Sequence, residues 1–146
     1  MTMVSTARIV ETLGGPRVLK AKAPTAADLQ ARVRSGLPYS ALETVAAGFA
    51  ITREDLVTLL HLPLRTLARR KREKRLRADE SDRLLRLGRI AVLAEEVLGS
   101  REKATRWLHA PNRALGDGAP LRCLDTDLGT RRVEDLLLRI AHGTYS

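Results

Sequence analysis

The sequence predicts an all-α protein: a helix-turn-helix bundle followed by a small helical C-terminal domain. Three observations carry this. Aromatic residues make up only 3% of the chain, and strict apolar–polar alternation is absent. Apolar residues recur instead at helical spacing. Side chains suited to capping recur just before those periodic stretches.

The first 24 residues have one apolar period, around Ile9, Val10 and Leu13, and a break at Gly14-Gly15-Pro16. They read as a loosely attached arm. "TAADLQARVRSG" then starts with Thr25 as N-cap and Asp28 three residues on, and stops at Gly36. Leu42, Val45, Ala46 and Phe49 share one face of a second helix. A third helix follows over about 53 to 60, capped by Thr52 with Asp55, with Ile51 set to staple onto Leu56.

His61-Leu62 forms a brief turn, and Pro63 suits the first turn of the next helix, where its missing N–H leaves no bond unmade. In that helix Leu64, Leu67, Ala68 and the aliphatic stem of Lys71 form the docking side, and Arg65, Arg69 and Arg72 the outer stripe. Thr66 and Arg70 flank the stripe. A long helix over 79 to 98 opens at Asp79 or Ser81 and ends at Gly99. Its apolar face, Leu84, Leu87, Ala91, Ala94 and Leu98 widened by Ile90, Leu93 and Val97, is broad enough to link two units or to serve as a dimer surface. A short helix near 104 to 108, a loop marked by Gly116, Gly118 and Pro120, and a last helix capped by Thr126 complete the chain, with Gly143 as its stop. The expected organisation is therefore an arm over 1–24, a helix-turn-helix domain over 25–78, a linking or dimerisation helix over 79–99 and a C-terminal domain over 100–146.

Charge points to the partner. Lys and Arg number 26 against 17 Asp and Glu, a net charge of +9, and this favours polyanions through counterion release. The excess is local: Arg65, Arg69, Arg70, Lys71, Arg72, Lys74, Arg75 and Arg77 face Glu73 alone. Because this cluster follows a capped helix and a tight turn, it reads as the DNA-contacting helix of a helix-turn-helix. Arg65, Thr66 and Arg69, in its first turns, are assigned to base edges. Arg70, Lys71, Arg72, Lys74, Arg75 and Arg77 are assigned to phosphate. A helix-turn-helix reads paired half-sites, so a homodimer is expected.

Other classes fare poorly. A single cysteine, Cys123, excludes an intramolecular disulfide, and three His lack zinc-site spacing. His61, His109 and His142 have no nucleophile or phosphate-loop context beside them, so neither enzyme activity nor a cofactor is expected. No apolar run is long enough to cross a membrane, and a cytoplasmic protein is expected. Trp107 is either a core anchor or an interface anchor.

The C-terminal third carries a more specific pattern: Trp107-Leu108, Pro111-Asn112, Ala114-Leu115-Gly116, Pro120-Leu121, Thr126, Gly129, Val133, Leu137, Ile140, Gly143 and Tyr145. With Arg65-Thr66-Leu67, Arg69-Arg70 and Glu80 to Leu84, these landmarks resemble the MbcA/ParS/Xre antitoxin family across roughly residues 36 to 146. Pro63-Leu64 departs from the Ser-Pro pair common in that family. The resemblance implies a type II antitoxin that binds operator DNA and, in a larger complex, neutralises a RES-domain toxin that degrades NAD. It also implies that the C-terminal end, here Gly143, Thr144, Tyr145 and Ser146, reaches the toxin's active site. The alternatives are a stand-alone transcription regulator and a non-specific nucleic-acid binder.

Overall fold

The computed structural model describes residues 4–19 and 25–143. Nine α-helices occur among them: α1 (Thr6–Thr12), α2 (Pro16–Leu19), α3 (Ala26–Ser35), α4 (Tyr39–Gly48), α5 (Arg53–Leu60), α6 (Leu64–Glu73), α7 (Ala78–Leu98), α8 (Arg101–His109) and α9 (Asp127–Ala141). Two 3-10 segments, Arg113–Leu115 and Pro120–Asp125, join α8 to α9. Pairing of β type is confined, among the described residues, to the isolated bridges Pro38–Arg75 and Asn112–Gly118.

Local chemistry sets the helix starts. Thr25 and Thr52 each accept a bond from the N–H three residues on, while Asp28 and Asp55 accept from the cap N–H, closing two reciprocal capping boxes. Ser100 opens α8 and Thr126 opens α9 by the same one-sided bond. The start of α7 differs from the Asp79 or Ser81 expected. Arg77 is its N-cap residue, and Glu80 accepts the Arg77 N–H at 2.8 Å. Ser81 is fully buried and accepts the Leu37 N–H at 2.8 Å, tying the α3–α4 connection to α7.

α7 is the axis of the molecule. It packs against α1, α3, α8 and α9, and Leu84, Leu87, Ile90, Ala91, Leu93 and Ala94 are all buried within the single chain. Most of the wide apolar face that suggested a dimer surface is thus covered within the chain, while Val97 and Leu98 at its end are half-buried. Residues 4–19 are likewise not a loose arm, because Ile9, Val10 and Leu13 lie in the same core and Arg8 pairs with Glu95 at 2.8 Å. Contacts also cross the expected domain limits. Phe49 receives the His109 Nε2 bond on its carbonyl at 2.9 Å, and its ring lies 5.0 Å from the Arg101 guanidinium.

At Gly129 a Cβ would stand 1.9 Å from the Cys123 carbonyl oxygen, so only glycine lets α9 begin this close to the second 3-10 segment.

Candidate nucleic-acid interface and C-terminal face

The basic cluster sits on α6 and the few residues after it. α5 ends at His61, whose left-handed backbone (φ 56°) turns the chain. Its Nε2 bonds the Asp125 carbonyl oxygen at 2.6 Å, which fixes that turn against the C-terminal part. Leu62 is buried and Pro63 is the N-cap of α6. Leu67 then anchors α6 in the core.

Arg70 is the second inward residue, and this corrects its assignment to phosphate. It is 3% exposed, as is Glu80. Its Nε lies 2.8 and 3.1 Å from the two Glu80 carboxylate oxygens, its second terminal nitrogen 2.9 Å from one of them, and Glu73 adds a contact at 3.3 Å. Hydrogen bonding to Glu80 raises the guanidinium further above its ordinary range, against the opposing effect of burial. The fork is fully engaged by carboxylate and offers nothing to DNA.

The docking side also differs from expectation. Leu64 is 52% exposed, and Ala68 and Lys71 are exposed, so Leu67 and Arg70 hold the helix instead. Leu64, Ala68 and Lys71 border an apolar groove of about 650 Å³ between α4, α5 and α6, floored by Leu42, Ile51 and Leu56. Lys71 reaches Glu43 across it at 3.9 Å. Tyr39 stands in the same groove, where burial first and Glu43 second raise its phenol above the usual value.

Arg65, Arg69 and Arg72 are exposed along one face of α6, with Thr66 half-buried beside them. Lys74 and Arg75 lie beyond the helix. Lys74 adopts a left-handed backbone (φ 63°), its carbonyl accepts the Tyr39 N–H at 3.1 Å, and the Leu76 N–H donates to the Leu37 carbonyl at 2.9 Å. These bonds pin the backbone while leaving the Lys74 and Arg75 side chains exposed. Arg53, at the start of α5, is an exposed cation on the same groove as Arg65 and was not anticipated. Its position in the first turn of a capped helix, where phosphate is commonly gripped, was the available signal.

The C-terminal face is built on α9. Val133, Leu136 and Leu137 bury its inner side, and Trp107 is partly buried against the core. Its outer end carries a shallow concavity of about 470 Å³ lined by Asp135, Leu138, Arg139 and His142. Beside it, Ala114, Leu115, Arg132 and Leu136 border a smaller one of about 170 Å³ with the same Asp135 and Arg139. Gly143 turns the chain out of α9 at φ 69°. Thr144, Tyr145 and Ser146, assigned to toxin, lie outside the described residues.

Ion pairs tie α7 to α9, where Arg86 meets Asp127 at 3.9 Å and Arg89 meets Glu134, and the Arg83 guanidinium ties α7 to α5 by donating to the Leu60 carbonyl at 3.2 Å. Among the described residues no group of His, Cys, Asp and Glu is arranged to hold a metal ion, and no helix is long and apolar enough to cross a membrane.

A helix-turn-helix pair, α5 and α6, with its second helix basic and exposed, packed on α7 and continued by α8 and α9, defines a helix-turn-helix protein with an added helical C-terminal domain. Two family comparisons name both parts: residues 28–89 match the antitoxin Xre-like helix-turn-helix domain, and residues 93–143 match the antitoxin Xre/MbcA/ParS C-terminal toxin-binding domain. Curated relatives agree. Antitoxin Xre of Photorhabdus laumondii is 32% identical over 81% of this chain and 81% of its own length. Antitoxin Xre of Pseudomonas putida is 46% identical over 56% of this chain and 52% of its own length, so that match spans about half of the relative. Antitoxin Xre of Yersinia enterocolitica is 28% identical over 78% of each chain. The chain belongs to the Xre/MbcA/ParS antitoxin family.

Proposed function

We propose that this protein is a non-enzymatic antitoxin that neutralises a RES-domain, NAD-degrading toxin by covering its active site, and that it represses its own operon through α6. The observation that carries the reading is the match of residues 93–143 to a toxin-binding domain, on a face whose outer end is concave and bears charged side chains. A partner's protruding edge fits such a surface better than a flat interface does.

Toxin occlusion is assigned to the chain leaving α9: Gly143 followed by Thr144, Tyr145 and Ser146. Hydroxyl groups and a phenol suit a pocket made for a phosphate-bearing, aromatic substrate. DNA binding is assigned to Arg65, Thr66 and Arg69 at base edges and to Lys71, Arg72, Lys74, Arg75 and Arg77 at phosphate, with Arg53 added. The active species is a cytoplasmic homodimer held in a larger complex with toxin, because paired half-sites call for two recognition helices.

Deleting Thr144 to Ser146 tests the occlusion. The shortened protein is expected to bind operator DNA normally and to lose protection of NAD in cells expressing the toxin. Full protection by the shortened protein would rule out the tail as the blocking element.

A further inference from the structure

Leu64 and Leu128 are the exposed large hydrophobic residues among those described. Leu64 is the first residue of α6, the position from which a recognition helix reaches base edges. Half of this aliphatic side chain stands in water, although Leu67 already anchors the helix. It is flanked by cations: Arg65 follows directly, and Arg69 lies on the exposed side. The N-cap is Pro63, which makes no side-chain bond to the helix start, so no capping group competes for the space around Leu64.

We infer that Leu64 reads the 5-methyl group of a thymine in the major groove, next to a guanine read by Arg65. The inference rests on the DNA-binding reading above and gives it a sequence preference. Thymine is the one unmodified base that presents an apolar group on the major-groove edge, and guanine presents the paired acceptors that suit an arginine fork. Two adjacent residues at the tip of one helix, one aliphatic and one forked, therefore select a guanine–thymine neighbourhood. Ala68, exposed one turn further along, keeps the surface beside Leu64 free of bulk, so the bases can approach closely.

The full-length chain is used to select sites from a pool of random duplexes, and each thymine of the selected site is then replaced singly by uracil, which removes only the methyl group. Binding is read by fluorescence anisotropy. One uracil, beside a guanine, is expected to weaken binding about fourfold, the equivalent of one buried methyl-sized group. The Leu64→Ala variant is expected to bind the thymine and uracil duplexes equally. Because Leu64 also borders the groove, the uracil change matters most: it leaves the protein untouched and so cannot act through the fold. Indifference of the wild-type protein to every uracil overturns the inference alone. So does a uracil effect that persists undiminished in Leu64→Ala. Failure to enrich any site overturns the DNA-binding reading itself.

Discussion

Arg70 shows how one side chain can belong to the fold although its neighbours face solvent. Its bonds to Glu80 join α6 to α7, and Glu80 also receives the Arg77 N–H at the start of α7. Removing one partner leaves the other charge buried and unpaired, which costs about 3–5 kcal/mol. Glu80→Ala and Arg70→Ala are each expected to lower stability by that amount in chemical denaturation. The double replacement Arg70→Met with Glu80→Leu should recover most of the loss, and a double variant as unstable as the sum of the singles would show that the pair is not acting as a unit. Arg65 and Arg69 should behave oppositely. Their joint replacement by Ala is expected to leave the unfolding midpoint in place while weakening operator binding by about 1–3 kcal/mol for each arginine that reads a base. A matching loss of toxin neutralisation would mean that the two surfaces act together.

At the scale of elements, the second 3-10 segment and α9 meet at a point that tolerates no side chain. Gly129→Ala is expected to cost about 1–3 kcal/mol, since the added methyl must push α9 away from a backbone carbonyl. A thermal midpoint equal to wild type would contradict this close approach. Much of this element order was legible in the sequence, because Thr25, Thr52 and Thr126 cap through neighbours only three residues away. The α8 start at Ser100 carries the same local signal through the Lys103 N–H, ahead of the helix expected near 104 to 108, whereas the α7 start at Arg77 was harder to read. In the second case Ser81, a residue typical of caps, is drawn off by the distant Leu37 N–H. The inward turn of Arg70 was hidden for the same reason, since Glu80 sits on another helix and charge counting treats every cation as solvated. Spacing alone could have raised it, because Arg70 falls one turn after Leu67 on the buried side.

At the scale of the molecule, α7 serves both matched segments, and interactions at His61, Phe49 and Arg89 bind them further. The apolar width of α7 was visible in the sequence, but width cannot say whether the covering surface comes from another copy or from the same chain. Here it comes from α1, α3, α8 and α9. A single cooperative thermal transition is therefore expected, with far-UV dichroism and Trp107 fluorescence coincident; two separate transitions would show that the halves fold independently.

If the C-terminal face disarms an NAD-consuming partner, NAD in living cells reports it. The RES-domain toxin is expressed alone and together with this chain, and cellular NAD is measured. NAD is expected to collapse in the first case and to stay at the level of untreated cells in the second. An equal collapse in both would show that the chain does not neutralise the toxin.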